Sequence, residues 1–160
     1  MRKVISLFLT VIMVFSMNIC AFATENETDC TEEYFRFKDS TERMTSTGEF
    51  EFYCNSYLTS DHFVANSDQI TVEASAKIYN RNTGSTTTSF FKKFTITVHK
   101  VGGGDLSPVL TVRLNGKTAS VTVDVEEGEE YYLIIESSSD LDAVLYMDGE
   151  GSVSPVTKVS

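Results

Sequence analysis

Apolar and polar positions alternate along most of the chain in short runs. In GEFEFYC at 48–54, Phe50, Phe52 and Cys54 fall on one side of an extended strand and Glu49, Glu51 and Tyr53 on the other, so Cys54 is expected to point inward. Residues 70–79 give the cleanest pattern: Ile70, Val72, Ala74, Ala76 and Ile78 alternate with Thr71, Glu73, Ser75, Lys77 and Tyr79, which predicts a half-buried strand. Phe94, Ile96 and Val98 alternate in the same way with Thr95, Thr97 and His99. A brief alternation at 34–38 precedes these strands.

Turn chemistry separates the runs. NRNTGSTTTS at 80–89 predicts an exposed loop, and the glycines of VGGGDLSP at 101–108 a reversal. Asn115-Gly116 lies between alternating runs at 110–114 and 119–125 and predicts a hairpin that pairs them. YYLIIE at 131–136 is apolar on both faces and predicts a central strand or one covered by a loop; AVLYM at 143–147 and weaker strand character near the C-terminus complete the series. No stretch of ten or more residues carries a 3.6 period. The expected fold is all-β, an antiparallel β-sandwich or jelly roll of seven to eight strands.

The N-terminus departs from this pattern. Arg2 and Lys3 precede an apolar run of about 12 residues, short of the about 20 that span a bilayer, and Ala21 and Ala23 supply the small residues of a cleavage site. Residues 1–23 are therefore expected to be a cleaved signal peptide, 24–47 a polar N-terminal arm with one short strand, and 48–160 the β-sandwich domain. The expected location is extracellular, with no membrane span after cleavage.

The whole chain of 160 residues has 13 Lys and Arg against 23 Asp and Glu; losing Arg2 and Lys3 moves its net charge from −10 to −12. Such a balance repels nucleic acid and anionic membranes, and no nucleic-acid-binding spacing is present. Cys20 leaves with the signal. In an oxidising compartment Cys30 and Cys54 are expected to form one disulfide, closing a loop of about 25 residues and stabilising the fold by roughly 3 kcal/mol. In an anaerobic setting both would be free thiols.

FTITVHKV followed by ASVTVDVEEGEEYYLIIESSS resembles the small secreted bacterial β-sandwiches of the pre-peptidase C-terminal type. The resemblance rests on Gly128, Tyr131, Tyr132, Leu133 and Ile135 within residues 48–155. It implies an extracellular appendage that assists secretion or binding. The chain departs from that family in lacking its Asp-x-Asp-Leu run, and no attached catalytic domain is expected.

Candidate chemistry is sparse. Nucleophilic catalysis needs a base beside Ser or Cys, and the two histidines, His62 in SDHF and His99 on an outward strand face, are expected to be surface residues. The chain is not expected to be an enzyme. Asp140, Asp142, Asp148 and Glu150 place hard oxygen ligands in what read as two C-terminal loops, the best candidates for calcium, although their spacing matches no EF-hand; no other cofactor is indicated. Without Trp, sugar stacking would fall to Tyr53, Tyr57, Tyr79 and Tyr132. Gly102-Gly103-Gly104 lacks the Lys-Ser/Thr pair and the helix of a phosphate loop. The expected function is a secreted, non-enzymatic binding or interaction module for a cell-surface glycan or protein. The alternatives are a bacteriocin-like antagonist and a small hydrolase in which His62 meets a Ser or an acid.

Overall fold

The structure is a computed structural model that describes residues 32–38, 47–138 and 141–158. The described residues lie within one compact unit, Glu32–Ser160. They form β1 (Tyr34–Phe37), β2 (Gly48–Cys54), β3 (Tyr57–Thr59), β4 (Phe63–Ala65), β5 (Gln69–Asn80), β6 (Ser85–Thr87), β7 (Lys93–Lys100), β8 (Leu110–Arg113), β9 (Ala119–Asp124), β10 (Glu130–Ser137), β11 (Leu145–Ser154) and β12 (Val156–Lys158). No helix among them is long and apolar enough to cross a membrane. The fold is an all-β sandwich of two antiparallel sheets. In the first the order is β1-β2-β11-β5-β6, with β9 also on β5; in the second it is β12-β4-β10-β7-β8, with β3 also on β10.

Alternation decides what each strand buries. Along β5 every second residue from Ile70 to Ile78 is buried, as its period of two requires. Phe50, Phe52, Ile70 and Val72 from the first sheet meet Phe94, Ile96, Leu133 and Ile135 from the second, all nearly inaccessible to water. Burying such a side chain stabilises by about 1.5–3 kcal/mol. The rings of Phe52 and Phe94, 5.4 Å apart, and of Phe37 and Phe63, 6.3 Å apart, bridge the sheets. β10 lies inside its sheet between β7 and the β3 and β4 strands, with Tyr131, Leu133 and Ile135 buried and Tyr132 and Ile134 partly covered on the other face.

Four local expectations change. Residues 110–114 and 119–125 are not hairpin partners: β8 pairs with β7 and β9 with β5, in different sheets. Asn115-Gly116 still makes the tight turn, with Gly116 at φ 74°, but the Gly116 amide donates to Ala76 O of β5 and the turn carries the chain across the sandwich. Part of the 80–89 loop forms β6, an exposed edge strand beside Ile78–Asn80. The sheet starts upstream of Gly48, since β1 pairs with β2 from Tyr34↔Tyr53 to Phe37↔Phe50.

The fourth change concerns MDGEG, which reads as a loop and forms the middle of β11. Gly149 and Gly151 face inward, opposite Phe52 and Phe50 of β2, whose rings fill the space above the two glycines. Glycine in a strand interior marks this kind of close approach. Local composition signals a turn; the aromatic partners that make it a strand lie about a hundred residues away in sequence.

Candidate functional site

The outward face of the first sheet presents its side chains in rows across four strands. One row runs Tyr34, Tyr53, Asp148, Lys77; the next runs Arg36, Glu51, Glu150, Ser75. A third continues with Glu49, Ser152 and Glu73. Between them lie two shallow troughs of about 300 and 290 Å³, which share Ser75 and Glu150 and so form one elongated groove along β11. Groups repeat about every 7 Å along each strand and about 4.8 Å across it.

Glu51 and Glu150 are directly opposed on β2 and β11, an arrangement that like charges disfavour. Each carries its own cation. Arg36 Nε donates to Glu51 Oε1 at 2.6 Å and Lys38 Nζ to Glu150 Oε2 at 3.1 Å. Asp148 stands beside them on the exposed face: partial desolvation raises its carboxyl from the ordinary value, Glu51 and Glu150 push the same way, and Lys77 opposes them. Burial likewise raises the Tyr34 phenol, with Glu51 adding to it. The groove thus offers carboxylate acceptors, ammonium and hydroxyl donors, and the Tyr34 ring at one end, a set suited to a ligand rich in hydroxyls.

Behind Tyr34 lies an aromatic cluster. Tyr53 stacks on Tyr146 at 4.7 Å with ring planes 5° apart, lies 6.1 Å from Tyr34, and meets Tyr79 edge-on at 5.7 Å. Arg36 covers Tyr34, and Arg81 both lies over the Tyr146 ring and donates to its hydroxyl at 2.9 Å. Tyr53 was expected on an open face. It is on that face but only 4% exposed, and its hydroxyl has no hydrogen-bond partner among the described residues. Burial pushes its pKa up to about 12.

On the second sheet the two histidines bracket one tyrosine. His62 and His99 stack on Tyr132 at centroid distances of 5.4 and 5.2 Å, and their Nδ1 atoms lie 2.8 Å from Glu130 Oε1 and Asp105 Oδ1. His62 therefore meets an acid. The nearby Ser60 hydroxyl is committed elsewhere: it donates to Asp61 O and accepts from the Leu133 amide. His99 is less open than its strand position suggests, with 14% of its side chain exposed.

The calcium candidates do not share a pair of loops. Asp148 and Glu150 stand on the outward face of β11, and Asp142 lies in the turn before it, where its carbonyl accepts from the Leu145 amide. Asp140 lies outside the described residues. Among those residues no group of three or more His, Cys, Asp or Glu is placed to hold a metal ion. Cys54 is fully buried on the inward face with a free thiol, its pKa pushed up to about 12 by burial; Cys30, its expected partner, lies outside the described residues, as do residues 1–23. Gly102–Gly104 make the expected reversal, closed by bonds between Lys100 and Gly103 and Gly104. Tyr131, Tyr132, Leu133 and Ile135 lie on β10, just after Gly128, whose φ of 84° shapes the turn.

Tyr34, Glu51, Ser75 and Lys77 were not singled out by the sequence. Each is an ordinary outward strand residue, and only the order β1-β2-β11-β5 makes them neighbours.

No family model matches the chain, and no curated protein does. Among solved structures it is similar to a family two carbohydrate esterase from Cellvibrio japonicus (TM-score 0.38, 10% identity, 80% of this chain). This chain spans 35% of that longer one. It is also similar to the C-terminal domain of EclA, a sugar-binding protein (TM-score 0.34, 13% identity, 71% of this chain and 80% of that one). A third is the CBM22-1 xylan-binding domain from Paenibacillus barcinonensis (TM-score 0.34, 10% identity, 81% and 83%). Likenesses this distant carry no functional weight; the groove's own side chains do.

Proposed function

We propose that the protein is a secreted, non-catalytic binding module that holds an extracellular glycan along the outward face of its first sheet. The observation that supports this is the opposed pair Glu51 and Glu150, kept side by side by Arg36 and Lys38 within an elongated groove that ends at Tyr34. A sheet optimised for stability alone would not set like charges opposite each other, and departures from local optimum concentrate at functional sites. Sugar hydroxyls donate and accept, so they pair with the carboxylates, Lys77 and Ser75 together, while Tyr34 closes one end of the groove.

The test is affinity electrophoresis and thermal shift of residues 24–160 against a panel of cell-wall and plant polysaccharides. A ligand at 100 times its Kd stabilises by about 2.7 kcal/mol, which moves the midpoint by several degrees. Retardation by one polysaccharide, lost in Tyr34→Ala and Glu150→Ala, is the expected result. Release of reducing ends would replace binding by hydrolysis. No retardation by any glycan would sink the reading, and killing of neighbouring cells by the purified protein would then favour an antagonist.

A further inference from the structure

Asn115-Gly116 is the only Asn-Gly pair in the chain; every other asparagine precedes Ile, Glu, Ser, Arg or Thr. An asparagine before glycine is open to attack on its own side chain, because a following residue without Cβ lets the next backbone nitrogen swing onto the carboxamide carbon. Gly116 is exposed, so water reaches the pair. Forming the turn uses only its backbone.

The fold treats the two reacting groups in opposite ways. The Lys117 amide donates to Asn115 Oδ1 at 2.9 Å, which holds the carboxamide with its oxygen toward Lys117 and draws electron density from Cγ. A donor at that oxygen also favours the oxyanion that forms when Cγ is attacked. The nucleophile is tied down instead: the Gly116 amide donates to Ala76 O of β5 at 2.9 Å. Attack requires that nitrogen to lose its proton, and a carbonyl oxygen does not take it. The turn is braced further by the Asn115 amide, which donates to Arg113 O at 2.8 Å, and by the stem of Lys77, which packs so close that a Cβ on Gly116 would lie 2.9 Å from Lys77 Cε.

We infer that Asn115-Gly116 is a self-modification site whose reaction is gated by the docking of its turn on β5. Once the Gly116 amide leaves Ala76 O and gives its proton to hydroxide, its nitrogen bonds to Asn115 Cγ. The bond from Cγ to the carboxamide nitrogen breaks, and that nitrogen takes up a proton and departs as ammonia, leaving a cyclic succinimide. Water opens the ring at either carbonyl, so residue 115 becomes aspartate or isoaspartate. A water is consumed, an ammonia is released and no electrons are exchanged. Gly116 lines the same trough as Asp148 and Glu150, so either product adds a carboxylate at the groove wall. Isoaspartate also lengthens the backbone where the chain crosses from β8 to β9, between the sheets. A loss of ligand binding in the modified protein rests on the groove being a glycan site; the covalent step does not.

Peptide mapping by mass spectrometry at mildly alkaline pH, with labelling by an isoaspartate-specific methyltransferase as a second readout, tests this on the purified protein. In urea above the unfolding midpoint, residue 115 should convert ahead of every other asparagine. Without urea it should convert at least about tenfold more slowly, because local opening has to precede attack. Hydrogen exchange of the Gly116 amide should be slow in the folded protein, and exchange and conversion should rise together as urea is added below the midpoint. Gly116→Ala, whose methyl crowds the attacking nitrogen, should slow conversion even in urea, where its fold is irrelevant. Equal rates in folded and unfolded protein would remove the gate, and conversion of another asparagine ahead of 115 in urea would remove the site. Either result overturns the proposal.

Discussion

The ring of Phe52 fills the space that a side chain at Gly149 would occupy, although 97 positions separate these two register partners on β2 and β11. Phe50 stands in the same relation to Gly151. These two pairs allow MDGEG to run as a central strand, and so raise Asp148 and Glu150 onto the groove face.

Alanine at either glycine should therefore destabilise the fold. A Cβ at 149 would lie 2.6 Å from Ser75 O and 2.7 Å from Ala76 Cβ, and one at 151 would press on Phe50 and on the Glu73 carbonyl. Overpacking of this kind costs about 1–3 kcal/mol. Gly151→Ala should be the more severe, since its Cβ would come closer to a backbone carbonyl than the one at 149 does, and backbone cannot swing away. Urea midpoints at unchanged m-value would show it; a Gly151→Ala protein as stable as the parent would contradict the packing described.

Asp148 should trade stability against binding. Its carboxyl is raised in the folded protein, chiefly by desolvation, so folding favours the protonated form. That contribution is present below the ordinary value of 3.8 and is lost as pH rises through the higher folded value. At pH 7 the ionised group then opposes folding. Asp148→Asn should melt higher than the parent at pH 7, with the gain fading toward pH 3, and should bind the groove's glycan more weakly. Equal melting at both pH values would show that the carboxylate is adequately solvated.

Tyr53 carries a ring that packs and a hydroxyl without a partner among the described residues. An unsatisfied buried polar group costs about 1–3 kcal/mol. Tyr53→Phe keeps the stack on Tyr146 and should raise stability by about 1 kcal/mol, whereas Tyr53→Ala should lower it by about 3–5 kcal/mol through the cavity it leaves. A stability loss in Tyr53→Phe would reveal a partner for the hydroxyl.

Alkaline stability should reflect Cys54 and Tyr53. Burial lifts the thiol from 9.0 to about 12 and the phenol from 10.0 to about 12. Their folded states hold protons that the unfolded chain releases, so stability is intact below pH 9 and declines from there toward 12. Urea midpoints between pH 8 and 10.5 should fall, less steeply in Cys54→Ala. The native thiol should also resist alkylation until the protein unfolds. An alkaline limb identical in Cys54→Ala would place this cysteine in a disulfide.

Alternation along 48–54, 70–79, 94–98 and 131–136 was sufficient for the all-β class and for the inward direction of Cys54, because a strand's side-chain period is local and burial imposes it residue by residue. The tight turn at Asn115-Gly116 was legible too, since positive φ is a property of its own residues. Which strands that turn joins was not: the Gly116 amide bonds to β5, a choice made by the packing of two sheets. The same holds for the site. Nothing near Glu51 in sequence announces Glu150, and nothing near His62 announces His99 on the other side of Tyr132. Composition and periodicity determined that this chain folds as strands with one wet face. Strand order and register, set by long-range pairing between positions up to about a hundred residues apart, alone decided which wet residues meet.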